Sequence, residues 1–290
     1  MPLHPNIIIH TMSHPCFLPI FSCLILFFGP SCQKGKSEAL ASNPEPPAEH
    51  ARDAKIIHTY VALCDNKSQG IAPVPEKIGN GDDPANNLYW GCSDGSRSYF
   101  EKSKRWKRLS AGKVDGQQAI MQRLVFQHQE TRAILVIDAW RGSTIEPCIE
   151  QFIQSIAGQH YESLTVNDAK GSHTINIGGG ADFLCFIGHN GLMEFSVPAL
   201  PANPKRKQQG DVAILCCQSD RFFQKHLGEG KHHAVLTTAS NMYPGAFILH
   251  DTLEGWFKGE SRQQLRQRAA KAYAKNQKIS TKSALTVFSK

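Results

Sequence analysis

Short apolar segments alternate with amphipathic segments along most of the chain after residue 55. The apolar segments end in glycine, asparagine or other turn-forming residues, which is typical of strands buried on both faces. Strands that alternate with helices indicate an α/β three-layer sandwich with a mostly parallel sheet. The predicted strands are 56–64, 122–126, 133–137, 183–188, 212–215 and 234–238, and the predicted helices are 88–104, 144–156, 219–226, 246–257 and 260–275.

The first 55 residues differ in composition from the rest of the chain. Residues 16–28 form an apolar run of signal-peptide length that is too short for a membrane span, and Gly-Pro-Ser-Cys after it resembles a lipoprotein processing site ending at Cys32. Residues 33–55 are rich in Ser, Pro, Glu, Ala and Lys, a composition that does not build a core. We predict a signal peptide over 1–32, a disordered tether over 33–55, an α/β domain over 56–277 and a C-terminal tail over 278–290.

This leader predicts an exported protein of the periplasm or cell envelope, attached to the membrane if Cys32 is lipidated. An alternative stays open, because the segment before the apolar run contains histidines but no lysine or arginine. In that alternative the start of the chain is a misread upstream region, and the protein is cytoplasmic.

Composition narrows the classes of partner. The net charge of +7 comes partly from short basic runs, which are usually solvated surface. The chain has no recognisable nucleic-acid module, so nucleic acid is not an expected partner. His226, His232 and His233 lie close in sequence, but no Cys or carboxylate spacing completes a metal site around them. We predict a surface histidine cluster there, and we expect neither a metal nor a cofactor.

Two predicted strands end in residues suited to nucleophilic chemistry. Strand 183–188 runs into His189, and strand 212–215 runs into Cys216 and Cys217. The carboxyl ends of neighbouring parallel strands share one rim, where ligands bind, and a histidine there would hold a thiol as thiolate. Adjacent side chains on a strand point to opposite sides, so only one of the two cysteines faces such a rim. The spacing leaves open that both side chains are structural.

These two strand ends resemble the paired signatures of the caspase, legumain and gingipain superfamily of cysteine peptidases. In that superfamily one strand ends in His-Gly and the next in Ala-Cys. The resemblance implies a caspase-like fold with His189 as the base and Cys217 as the nucleophile. Here Asn190 is inserted before Gly191, and Cys216 stands where alanine is usual. The chain is similar also to exported bacterial proteins without an assigned activity.

Other residues at the predicted rim are candidates for supporting roles. Gly188 and Gly191 flank the histidine and would let a backbone N–H act as an oxyanion donor. The resemblance implies that polar side chains at the end of the first strand, Asp65 and Asn66, orient the histidine or bind substrate. The alternative is that they only start a turn.

Two further residues follow predicted strands at the same rim. Arg141 would pair with a substrate carboxylate or with Asp138, and Tyr243 would wall the pocket or pack in the core. Asp65 favours basic substrate groups and Arg141 favours acidic ones, so the preference for substrate side chains is open.

The sequence therefore predicts an exported cysteine hydrolase of peptides or proteins with a Cys217–His189 dyad. Two alternatives remain. One is a non-catalytic binding protein that uses the same rim as a ligand pocket, and the other is a thiol-dependent amidase acting on a non-peptide substrate.

Overall fold

The computed structural model describes residues 44–46, 54–206 and 208–290. The predicted signal peptide over 1–32, the candidate lipidation site Cys32 and most of the predicted tether over 33–55 lie outside the described residues. In the part of the chain that is described, none of the helices combines the length and the apolar character needed to cross a membrane.

A mixed sheet of seven strands forms the centre of the fold. The strands described are β1 (Ile56–Ala62), β2 (Trp106–Gly112), β3 (Ile120–His128), β4 (Ile134–Trp140), β5 (Tyr161–Asp168), β6 (Gly171–Gly178), β7 (Phe183–Ile187), β8 (Asp211–Leu215) and β9 (His233–Leu236). The order in the sheet is β2-β3-β4-β1-β7-β8-β9, and β5 pairs with β6 as a separate hairpin. Within this sheet the pairs β4–β1, β1–β7, β7–β8 and β8–β9 are parallel. The pairs β2–β3 and β3–β4 are antiparallel.

Helices cover both faces of this sheet. They are α1 (Ser96–Lys102), α2 (Ile145–Ile156), α3 (Ser219–Phe223), α4 (Ala246–Trp256), α5 (Arg262–Gln277) and α6 (Thr281–Leu285). Side chains alternate along β1, so Ile57 and Val61 pack with α4 and α5, while Tyr60 packs with α2 on the other face. The prediction of an α/β fold with a mostly parallel sheet is confirmed, and the arrangement is compatible with a three-layer sandwich.

The predicted helix over 88–104 is wrong in its first half, where the chain forms turns. The side chain of Asn87 organises these turns: its Oδ1 accepts the N–H of Cys64 at 3.0 Å and of Tyr89 at 3.1 Å, and its Nδ2 donates to the Cys64 carbonyl at 2.8 Å. Hydrogen bonds to the end of β1 therefore outweigh the local helical pattern. Strands β2, β5 and β6 were not predicted, because much of each is exposed and none forms a continuous apolar run.

Residues 278–290 are folded and are not the predicted tail. After α6 the chain pairs with the segment that follows β9: Ala239 N–H donates to the Val287 carbonyl at 2.8 Å, and Ser289 N–H donates to the Thr237 carbonyl at 3.0 Å. Phe288 is only 1% exposed. The apolar residues here are too few to give a periodic pattern, yet they close the core beside β9.

The prediction of a surface histidine cluster is wrong, because His226 and His232 are buried and only His233 is exposed. His232 Nε2 lies 3.1 Å from the Ala181 carbonyl, and its Nδ1 lies 2.5 Å from an Arg206 nitrogen. Burial, with Arg206 acting in the same direction, lowers the pKa of His232 to about 3. His232 is therefore neutral in the folded protein near pH 5, where an unfolded chain would protonate it.

This lowered pKa predicts a loss of stability in mild acid. Between about pH 6.5 and pH 3 the unfolded state binds one more proton at His232 than the folded state does. For each unit by which the pH decreases in this range, His232 therefore lowers the free energy of unfolding by about 1.4 kcal/mol. In His232→Gln the slope of unfolding free energy against pH, measured by urea denaturation from pH 6 to 4, is expected to decrease by that amount. His233→Gln, which changes the exposed neighbour, should leave the slope unchanged. Equal slopes in the two variants would contradict the prediction.

Candidate functional site

The ends of β7 and β8 bring the two predicted reactive residues to one rim. The strands are parallel neighbours, and Ile187 pairs with Leu215. Cys217 and His189 each lie two residues beyond this pair, so both follow the carboxyl ends of adjacent strands. The two turns are also joined directly, because Asn190 Nδ2 donates to the Cys217 carbonyl at 2.6 Å.

The His189 ring is held by a carboxylate that the sequence analysis did not identify. His189 Nε2 lies 2.8 Å and 3.0 Å from the two carboxylate oxygens of Glu194. A 3-10 turn over Gly191–Met193 reverses the chain between the two residues. The Glu194 carboxylate also lies against Gly70, where an added Cβ would be 2.5 Å from Oε1. The only sequence signal was a carboxylate shortly after a glycine turn, which matches no motif.

The two neighbouring cysteines have different environments. Cys217 is partly exposed, whereas Cys216 is fully buried among apolar side chains of the core. Burial raises the pKa of the Cys216 thiol well above its usual value. Met242 N–H lies 3.4 Å from Cys217 Sγ, and the Met242 carbonyl lies 3.7 Å from it. Among the described residues no hydrogen bond joins the Cys217 thiol to the His189 ring.

The turn after Cys217 is fixed by polar contacts between β8 and the segment after β9. Ser219 N–H donates to Thr238 Oγ1 at 3.0 Å, Thr238 N–H donates to Ser219 Oγ at 2.9 Å, and Ser219 Oγ donates to the Ile214 carbonyl at 2.8 Å. Gln218, which lies between Cys217 and Ser219, has a left-handed backbone with φ of 50°. This conformation costs roughly 1 kcal/mol for a residue with a side chain. The surrounding contacts hold Cys217 in a defined position despite this cost.

The backbone N–H groups of Gly188 and Gly191 are already used. Gly188 donates to the Leu215 carbonyl at 3.4 Å, and Gly191 donates to the His189 carbonyl at 3.2 Å. Glycine is needed at Gly188, where φ is 159° and an added Cβ would lie 3.1 Å from the Ala62 carbonyl oxygen. Within the described residues, the N–H groups of Cys217 and Asn190 donate no hydrogen bond.

Asp65 and Asn66 organise the loop that follows β1. The Asp65 carboxylate accepts the Lys67 N–H at 3.1 Å and the Ser68 hydroxyl at 2.5 Å. Asn66 donates to the Val74 carbonyl at 2.8 Å and accepts the Val74 N–H at 3.0 Å. Neither side chain bonds to His189, so the contacts favour the turn-forming interpretation over the predicted orienting role.

Arg141 forms an ion pair with Asp82 at the surface rather than with Asp138. Asp138 is fully buried inside the sheet layer. Tyr243 is half-buried beside Met242, and its N–H donates to the Tyr273 hydroxyl at 3.2 Å. Burial raises the pKa of the Tyr243 hydroxyl above its usual value. Its position next to the Cys217 contact is compatible with either of the two predicted roles, wall or core.

Comparison of the chain with protein-family models, curated proteins and solved structures found no match. Assignment to the caspase, legumain and gingipain superfamily therefore stays a prediction. Over the described ranges, no group of three or more His, Cys, Asp or Glu side chains is arranged to hold a metal ion.

Proposed function

We propose that the protein is an exported, caspase-like cysteine hydrolase of peptides or proteins, with Cys217 as the nucleophile and His189 as the base. One observation carries the proposal: the parallel pairing of β7 with β8 places both residues at one rim, two positions beyond the same register pair. The Asn190–Cys217 hydrogen bond fixes the two turns relative to each other. The apolar segment over 16–28 supports export, and the sheet of mostly parallel strands suits the caspase-like fold.

The chemistry that this arrangement suits is acyl transfer through a thioester. The Cys217 thiol gives its proton to His189, and the sulfur attacks the carbonyl carbon of the substrate. The N–H groups of Cys217 and Asn190 would stabilise the oxyanion that forms. His189 then returns the proton to the leaving amine as the C–N bond breaks. Water, deprotonated by His189, hydrolyses the thioester and restores the thiol.

A non-catalytic binding protein is the second candidate, and one observation favours it. The Cys217 sulfur is hydrogen-bonded to the Met242 backbone and the His189 ring to Glu194, rather than to each other. Catalytic hydrogen bonds are often long or poorly aligned without substrate, so the hydrolase also accommodates these contacts. Thiol reactivity separates the two functions, because a structural cysteine has no base to activate it.

Alkylation by iodoacetamide at pH 6, followed by peptide mass mapping, tests the proposal. We expect Cys217 to be modified at least about ten times faster than Cys92, because His189 at the same rim would accept the proton of the Cys217 thiol as the sulfur attacks the reagent. Cys92 is the slow-reacting reference, because it is also partly exposed but burial raises the pKa of its thiol. In His189→Ala the Cys217 rate should fall to that of Cys92.

Three outcomes of this experiment are decisive. Equal rates for Cys217 and Cys92 in the wild-type protein would refute the hydrolase and favour the binding protein. Fast labelling that depends on His189, together with cleavage in a peptide library, supports a peptidase. The same labelling without peptide cleavage indicates an amidase that acts on a non-peptide substrate.

A further inference from the structure

We infer that Glu194 is a positioning residue that orients His189 and fixes the location of the ring proton; the inference rests on the proposed function. Glu194 is the only carboxylate in ion-pair contact with His189 among the described residues, and both of its oxygens lie within 3.0 Å of Nε2. The pairing is built by the fold, because a 3-10 turn over Gly191–Met193 returns the chain toward the ring.

The contact determines which ring nitrogen can act as the base. An ionised carboxylate only accepts hydrogen bonds, so a neutral His189 must carry its hydrogen on Nε2 in order to donate to Glu194. Nδ1 then has the free lone pair, and it is the atom that would take the proton from the Cys217 thiol. A carboxylate behind the ring also stabilises the imidazolium that this transfer produces.

The packing around Glu194 limits where its carboxylate can lie. A Cβ at Gly70 would come within 2.5 Å of Oε1 and 3.0 Å of the carboxyl carbon. The His189 ring is only 8% exposed, whereas the Glu194 side chain is 41% exposed. The carboxylate thus enters the site from the solvent side and contacts the ring nitrogen at one edge. Gly70 leaves the room that this approach requires.

The opposite role for Glu194 makes a different prediction. If Glu194 held His189 away from Cys217 as an inhibitory latch, removing the carboxylate would free the ring and raise the reactivity of the thiol. If Glu194 is a positioning residue, removing the carboxylate lowers the reactivity of the thiol instead. The direction of the change therefore distinguishes the two roles.

The first test measures alkylation of Cys217 by iodoacetamide at pH 6 in variants of the full chain. We expect Glu194→Ala to slow the reaction by about tenfold, because the ring loses its fixed tautomer and orientation. Glu194→Gln keeps an oxygen that can accept the Nε2 hydrogen but loses the charge that stabilises the imidazolium, so its rate should lie between those of Glu194→Ala and the wild type. Gly70→Ala should lower it, because its methyl group displaces the carboxylate. Glu150→Ala, which removes an exposed carboxylate from α2, should leave the rate unchanged.

The second test reads the ring proton directly by NMR with 15N-labelled histidine, using His189→Gln to assign the signals. We expect the Nε2–H tautomer in the wild-type protein and a shift toward the Nδ1–H tautomer in Glu194→Ala. An Nδ1–H tautomer in the wild type, or faster alkylation in Glu194→Ala, would overturn the inference. If wild-type Cys217 reacts no faster than Cys92, the proposed hydrolase fails, but the tautomer measurement still tests the contact with Glu194.

Discussion

Replacing Asp138 with alanine is expected to lower the free energy of unfolding by about 3–5 kcal/mol, because it leaves a buried arginine without its main partner. Arg123 Nε and Nη2 each donate to the Asp138 carboxylate at 2.7 Å. The Arg123 side chain is 7% exposed and that of Asp138 is fully buried. In the variant the guanidinium keeps only its contacts with Glu162 from the β5–β6 hairpin.

The Asp138 carboxylate also contacts a third strand, β1, through His58. His58 Nε2 lies 3.0 Å from Asp138 Oδ2, and His58 Nδ1 accepts the N–H of Gly178 at 3.1 Å. Since Nδ1 accepts, the ring hydrogen is on Nε2 and points toward Asp138. The carboxylate thus connects β1, β3 and β4, and through His58 it also fixes the end of β6. Its loss would loosen the hairpin as well as the sheet.

Denaturant unfolding of Asp138→Ala beside Asp82→Ala measures the effect. Asp82 also pairs with an arginine, Arg141, but both side chains of that pair are solvent-exposed. Exposed pairs contribute about 0–1 kcal/mol, so the control should lie close to the wild type. Losses of similar size in the two variants would show that burial of the Asp138 network does not matter for stability.

The hydrogen bonds of Asp138 also predict that the stability of the fold depends on pH. Burial alone would raise the pKa of Asp138, but hydrogen bonds from Arg123 and His58 outweigh it and hold the pKa below its usual value. A carboxylate with a lowered pKa in the folded state contributes its stability above the unfolded value of about 3.9. That contribution is lost as the pH falls through the folded pKa, so it adds to acid unfolding below about pH 4.

The sequence was sufficient to predict that His189 and Cys217 each follow a buried strand of a mostly parallel sheet. Both β7 and β8 are short apolar runs ending at glycine or cysteine, and burial on both faces leaves such runs few alternatives to a central parallel strand. The same reasoning separates the buried Cys216 from the partly exposed Cys217, because adjacent side chains point to opposite sides. At this rim the apolar pattern of the two strands and the alternation of their side chains lead to the same assignment.

Contacts between distant segments could not be predicted in this way. Glu194 reaches His189 only because a 3-10 turn reverses the chain, and Asn87 stops a helix because its amide bonds to the end of β1. Arg123 and Asp138 look like isolated charges within strands until the antiparallel pairing of β3 with β4 places them opposite each other. Each case depends on which strands are neighbours, and one sequence alone does not give that order.

The largest functional effect is expected from removing either half of the proposed dyad. Cys217→Ala and His189→Ala should each reduce hydrolysis of a fluorogenic peptide library by at least about 10³-fold. The double variant should be no slower than the slower single variant, because the thiol and the base act as one unit and neither works without the other. This lack of additivity is the signature of a dyad, which two independent structural residues would not show.

Cys216→Ala is the matched control for the comparison of the Cys217 and His189 variants. It removes a thiol from the adjacent position, but Cys216 is fully buried and faces the core rather than the rim. Activity should therefore remain within a few-fold of the wild type, with at most a modest loss in thermal stability from the smaller side chain. Because Cys216 and Cys217 share one turn, a general disturbance of that turn would affect both variants equally. Equal loss in the two would contradict the assignment of Cys217 as the nucleophile, whereas loss confined to Cys217→Ala places the chemistry on the Cys217 sulfur.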